Sequence, residues 1–154
     1  MTEPAVPTEK LVCTNRKARH EYTILDSFEA GLVLTGTEVK SLRRGTANIA
    51  EGHAEVRGRE IWLRSVHISP YEQGSYANVD PLRDRKLLLH KREIARITTR
   101  VAQRGLTLIP LRLYFKNKLA KVTIGVAQGK RAYDRRQEIA KRDAERSLRR
   151  QYAR

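Results

Sequence analysis

The sequence predicts a small, mainly β domain: a closed or nearly closed antiparallel β-barrel flanked by two to three helices and followed by a basic C-terminal tail. Three observations carry this. Apolar and polar residues alternate in several short runs joined by Gly- or Asn-containing turns, the period of half-buried strands. Two stretches of the body instead repeat apolar residues at helical spacing. The last stretch, Gly129–Arg154, carries ten Lys or Arg against four acidic residues and has few apolar side chains to bury.

The first ten residues hold two prolines and no periodic pattern, so a disordered leader is expected over 1–10, with the barrel over 11–128 and the tail over 129–154. A basic cluster follows at Arg16, Lys17, Arg19 and His20. His20 has no second ligand at metal spacing and reads as a polar rim residue near a phosphate. Tyr22–Leu34 reads as two β-rich runs about a turn at Glu29-Ala30-Gly31, where Gly31 supplies a positive φ. Thr37–Leu42 suits a short helix capped by Thr35 or Thr37, with Val39 and Leu42 on one face and Gly45 at its stop.

His53–Arg57 and Glu60–Ile68 form the clearest hairpin, about a Gly-first turn at Gly58-Arg59. Ile61 and Leu63 point one way, and Trp62, Arg64 and Val66 the other. Trp62 is either a stacking platform for a base or part of the barrel's packing. Pro70–Pro81 has loop composition and the length of a recognition loop. His90–Arg104 is the best helix of the body: Ile94, Ile97 and Val101 share a face, Glu93 lies in the first turn and Gly105 marks the stop. Its opposite face carries Lys91, Arg92, Arg96, Arg100 and Arg104. The final hairpin pairs Leu106–Phe115 with Leu119–Ala127 across Lys116-Asn117-Lys118. Pro110, which cannot donate to a ladder, marks an edge or a bulge. Short antiparallel strands closing with two helices favour an OB-type barrel, an architecture that commonly binds nucleic acid.

A chain of 154 residues makes one domain with tails, and its net charge of +15 attracts nucleic acid or anionic lipid. No apolar run approaches the roughly 20 residues of a membrane span, and the N-terminus lacks an apolar signal segment, so a cytoplasmic setting is expected. Cys13 is the sole cysteine, which excludes an intramolecular disulfide and reads as a small buried or partly exposed thiol.

Motifs for catalysis fail one by one. Gly125–Arg131 has three residues where a phosphate loop needs four, and Arg131 stands where Ser or Thr should hold magnesium. His53-Ala54-Glu55 lacks the paired cysteines of a zinc deaminase. No Gly-x-Ser-x-Gly elbow occurs. Neither a catalytic residue nor a metal or other cofactor is expected. Tyr133, set among Lys130, Arg131, Arg135 and Arg136, suits stacking on an unpaired base while phosphates meet the cations, or else packs on the barrel end. Ala132, Arg136, Ala140, Ala144, Leu148 and Tyr152 recur every four residues. They form a seam so thin that the tail is expected to be largely unfolded until RNA phosphates screen it.

The runs RKARHEYTI, FEAGLVLTGTEVKSLRRGTANI, DPLRDRKLLLHKREI and IPLRLYFKNKLAKVTIGVAQGKRAYDRR, in this order from Arg16 to Arg136, closely resemble the SsrA-binding protein (SmpB) family. The resemblance implies an OB-type barrel without catalysis. It implies binding to the transfer-RNA-like domain of transfer-messenger RNA (tmRNA) and its delivery to stalled ribosomes in trans-translation. Glu29, Leu88 and His90 match family positions implicated in the tmRNA contact. By the plainer reading Leu88 is core and His90 only starts a helix. Arg16, Arg19, His20, Arg83, Arg85 and Lys86 are the accompanying basic candidates. Gly129, Lys130, Arg131, Tyr133, Asp134, Arg135 and Arg136 match the segment the family uses on the small-subunit RNA of the decoding centre, with the remaining tail in the empty messenger path. A monomer is expected. The alternatives are a general single-strand RNA-binding barrel and a structural protein of the ribosome.

Overall fold

The computed structural model describes residues 9–103, 105–130 and 141–150. Its elements are β1 (Glu9–Thr14), α1 (Arg16–Glu21), β2 (Tyr22–Leu32), α2 (Gly36–Arg43), β3 (Ala47–Asn48), β4 (His53–Arg57), β5 (Glu60–Arg64) and β6 (His67–Ile68). A 3-10 turn (Glu72–Ala77), β7 (Arg85–Leu88), α3 (Lys91–Val101), β8 (Leu106–Lys116) and β9 (Leu119–Gly129) follow. The chain is mainly β with helices around it. Strands pair in the order β1-β8-β4-β5-β7-β2-β9, and β8 also pairs with β9. All of these pairings are antiparallel. One edge of β8 is divided: Leu108 faces Ala54 of β4, while residues from Arg112 onward face β1.

The division turns on Pro110. A register shift falls between Pro110 and Arg112, where the proline has no N–H to give the ladder. A bulge reverses the alternation of faces. Leu106 and Leu108 join the main core before it, and Leu113 and Phe115 after it. Ile109 and Leu111 pack with Ala18, Tyr22, Ile24 and Ala127 in a second, smaller cluster under α1. Asn15 fixes that helix: its side chain accepts from Ala18 N–H at 3.1 Å and donates to the Pro110 carbonyl at 2.9 Å. An N-cap of this kind satisfies donors the helix itself cannot.

Several local expectations change. β1 begins at Glu9, because Glu9 and Lys10 pair with Lys116 and Phe115, so these two residues are not part of a leader. β2 is one strand, with no turn at Glu29-Ala30-Gly31; those residues pair in sequence with Thr123, Val122 and Lys121. Gly31 serves close approach instead, since a Cβ there would lie 3.3 Å from Leu88 Cβ. Val66 is buried with Ile61 and Leu63, because Ser65, at φ 58°, breaks the alternation. The final hairpin turns on two residues, Asn117 and Lys118, both with positive φ. α3 is shorter than expected and is preceded by His90 as its cap. Gly58 (φ 62°) makes the expected Gly-first turn, and Thr35 caps α2 with Glu38 completing the capping box.

The segment from Tyr71 to Asn78 is closed by Asn78, whose amide bonds both Tyr71 N–H and Tyr71 C=O at 2.8 Å. The Tyr71 ring lies beneath Arg44 and Lys40 of the α2 end, 4.6 and 5.4 Å from its centroid. Residues 141–150 of the tail are helical, and all of them are exposed.

Candidate nucleic-acid interface

Glu29 points outward from β2, since its neighbours Phe28 and Ala30 are both buried. The Tyr114 hydroxyl of β8 donates to its Oε2, and Lys116 Nζ lies 3.4 Å from Oε1. The Tyr114 hydrogen bond, aided by Lys116 and opposed by partial burial, holds the Glu29 carboxyl below the usual range. Burial and this acceptor in turn push the Tyr114 phenol up to about 12. Arg112 stacks on the same ring, 4.5 Å from its centroid. Glu29 is therefore a fixed, ionised acceptor among cations.

Leu88 pairs with Gly31, two residues along the same face of β2, and its side chain is 53 % exposed. That exposure sets Leu88 outside the core, which Leu87 enters. Lys121 reaches over Gly31, 3.8 Å from where a Cβ would stand. His90 follows at the exposed end of β7. Its N–H donates to Glu93 Oε1 at 3.2 Å and its carbonyl accepts from Ile94 N–H at 3.0 Å. Glu29 and Leu88, far apart in sequence, thus lie on one face, with Arg112, Lys116 and Lys121 beside them, and His90 follows two residues after Leu88. The sequence does not single out these three cations, because their place beside Glu29 depends on the pairing of β9 with both β8 and β2.

Three expected contacts have other partners. Arg85 is fully buried. Its Nε donates to Glu38 Oε2 at 2.5 Å, Nη1 to the Val66 carbonyl at 2.7 Å and Nη2 to the Pro81 carbonyl at 3.0 Å. Arg85 is thus a framework residue, not a surface contact; one turn of strand alternation from Lys86 puts it inside. Arg83 Nη2 lies 2.5 Å from the other Glu38 oxygen. Burial pushes the Glu38 carboxyl up, but the bonds from Arg83, the Thr35 N–H and Arg85 outweigh it and hold it low. Lys86 pairs with Glu60 at 3.0 Å. It sits on an outer face where Arg57 and Arg64 likewise pair with Glu55 and Asp84. Trp62 of this face lies under Arg57, 5.5 Å away, and packs there.

Arg16, Arg19 and His20 are exposed on α1. The tail starts against this helix: Gly129 pairs with Tyr22, Lys130 N–H donates to the Glu21 carbonyl at 2.8 Å, and Lys130 Nζ to the Arg19 carbonyl at 3.4 Å. Arg131, Tyr133, Asp134, Arg135 and Arg136 lie outside the described residues. Cys13 is half-buried, and burial pushes its thiol up, away from reactivity. Among the described residues no group of three His, Cys, Asp or Glu could hold a metal ion, and no helix is long and apolar enough to cross a membrane.

Comparison with known proteins places the chain in one family. The SmpB protein family model matches residues 12–154. The SsrA-binding protein of Desulforudis audaxviator (strain MP104C) is 57% identical over 140 residues, covering 91% of this chain and 92% of its own. That of Ligilactobacillus salivarius (strain UCC118) is 52% identical, covering 94% and 93%. A chain in the solved structure "tmRNA-SmpB: a journey to the center of the bacterial ribosome" is 53% identical and superposes with a TM-score of 0.67, covering 78% of this chain and 85% of that one. With a family model matched from the first strand to the last residue and relatives above half identity over nine-tenths of the chain, the protein belongs to the SmpB family.

Proposed function

We propose that the protein is a non-enzymatic RNA-binding adaptor of the bacterial cytoplasm. It binds the transfer-RNA-like domain of tmRNA and delivers it to stalled ribosomes for trans-translation, as a monomer and without a cofactor. The observation that carries this is the outward surface joining Glu29 and Leu88, bordered by Arg112, Lys116 and Lys121, with His90 two residues beyond Leu88. An ionised acceptor, an exposed leucine and peripheral cations suit a folded RNA, whose hydroxyl and base N–H groups donate while its phosphates meet the cations. Arg16, Arg19 and His20 add a second basic margin beside the start of the tail.

The fold underlying it is an OB-type closed barrel. In its favour, the strand pairings run β8-β4-β5-β7-β2-β9 and return to β8. Gly129 leads from the barrel into the tail. Lys130, Arg131, Asp134, Arg135 and Arg136 then meet small-subunit RNA in the decoding centre, with Tyr133 stacking on a base. The rest of the tail lies in the messenger path. Residues 141–150 are helical where the sequence predicts an unfolded stretch, and exposed along their whole length, so on this reading RNA of that path is what the helix packs against.

A competition gel shift at one near-physiological salt concentration tests the RNA choice, because each phosphate contact steepens the salt dependence. Labelled tmRNA should be displaced by unlabelled tmRNA at far lower concentrations than by bulk transfer RNA. Equal displacement by any RNA of similar length would make the protein a general RNA binder.

A further inference from the structure

α3 carries a row of cations that the surface around Glu29 leaves unexplained. Arg92, Arg96 and Arg100 recur every four residues and line one side of the helix, with Lys91 beside the first of them. Arg92 and Arg96 are exposed, and Arg100 is partly so. Like charges at this spacing destabilise an isolated helix. Elsewhere on the molecule comparable cations are paired: Arg57, Arg64 and Lys86 all have carboxylates within 3.0 Å. On α3 that compensation is thin. Arg96 has Asp26 at 3.6 Å and the Phe28 ring 5.9 Å away, Glu93 is turned to the His90 N–H, and the buried Nε of Arg100 has no hydrogen-bond partner among the described residues.

On the footing of the tmRNA-binding role above, we infer that this face of α3 is a phosphate track that continues the RNA surface beyond His90. The row begins two residues after His90, which itself follows Leu88 by two, and Arg96 reaches back to Asp26 and Phe28 of β2, the strand that carries Glu29. At 1.5 Å rise per residue its guanidinium groups stand about 6 Å apart along the axis, a spacing comparable to the step between successive phosphates of one strand. The occupant is RNA backbone, since guanidinium groups pair phosphate oxygens in bidentate fashion. No aromatic residue lies on α3, so the track holds phosphates without stacking bases and reads no sequence. The core-facing side of the helix, with Ile97 buried, fixes the row's orientation.

The test measures tmRNA affinity across a salt series for wild type, R92Q/R96Q/R100Q and the paired-face control R57Q. Each lost phosphate contact removes about 0.7–0.9 from the slope of log affinity against log salt. The triple variant should lose about 2 or more units of slope, and R57Q should keep the wild-type slope. Arg92 is exposed with no ion pair among the described residues, so R92Q alone should fold and lose nearly one unit. A wild-type slope in both α3 variants would overturn the track, as would an equal loss in R57Q. Failure of wild type to prefer tmRNA over transfer RNA in the same assay would instead count against the tmRNA-binding role itself.

Discussion

The hydroxyl of Tyr114, a side chain only 2 % exposed, donates to the carboxylate of Glu29, a residue open to solvent from the neighbouring surface. A packed phenol on β8 thereby sets the direction and the charge of an acceptor on β2, with Thr123 of β9 between the two strands.

Tyr114→Phe keeps the ring and removes the donor. A hydrogen bond to a charged group contributes about 1.5–3 kcal/mol, less where the acceptor keeps solvent, so tmRNA affinity should fall roughly 5-fold while the fold persists. Titration of labelled tmRNA alongside a thermal melt measures both. Unchanged affinity would detach Tyr114 from the RNA surface.

Arg85 and Glu38 lock β7 to α2 from inside the core. Arg85→Met should cost about 3–5 kcal/mol, because it leaves the Glu38 carboxylate buried with less compensation. Replacing both, Glu38→Gln with Arg85→Met, should cost less than the sum of the single changes. Urea unfolding of the four proteins gives the coupling, and additive costs would show that the pair acts as two independent groups.

Much of the fold is legible in the sequence because it rests on local chemistry. Gly58 makes its hairpin turn, Thr35 caps α2, and Pro110 forces a bulge, each for reasons contained within a few residues. Side-chain direction after a bulge is a different matter. Nothing local says that Ser65 adopts a positive φ and returns Val66 to the core, or that Gly31 exists to admit Leu88. The same limit governs the site. Glu29, Leu88 and His90 emerge from a family resemblance, whereas Tyr114, Lys116 and Lys121 require the β8–β9 register. Arg85 looks like one more surface cation in RDRK until the strand alternation and Glu38 bury it.

Acid should expose the Glu38 contribution. Its folded carboxyl lies below the ordinary 4.5, so the stabilisation is full above that pH and is lost as pH falls through the folded value. Stability of the wild type should therefore decline below about pH 4.5, and more steeply than that of Glu38→Gln. Other low-lying carboxylates, Glu55 and Asp84 among them, leave the variant some acid sensitivity. Parallel curves from thermal melts across this range would remove Glu38 from the acid response.

Truncation after Gln128, compared with the full chain in a reconstituted trans-translation reaction, tests most directly the division of labour between body and tail. The described sheet surface around Glu29 remains in the truncated protein, so tmRNA binding should stay within a few-fold of the full chain while tagging of stalled peptides is lost. Tagging that survives the truncation, or tmRNA binding that disappears with it, would contradict a body that selects the RNA and a tail that engages the ribosome.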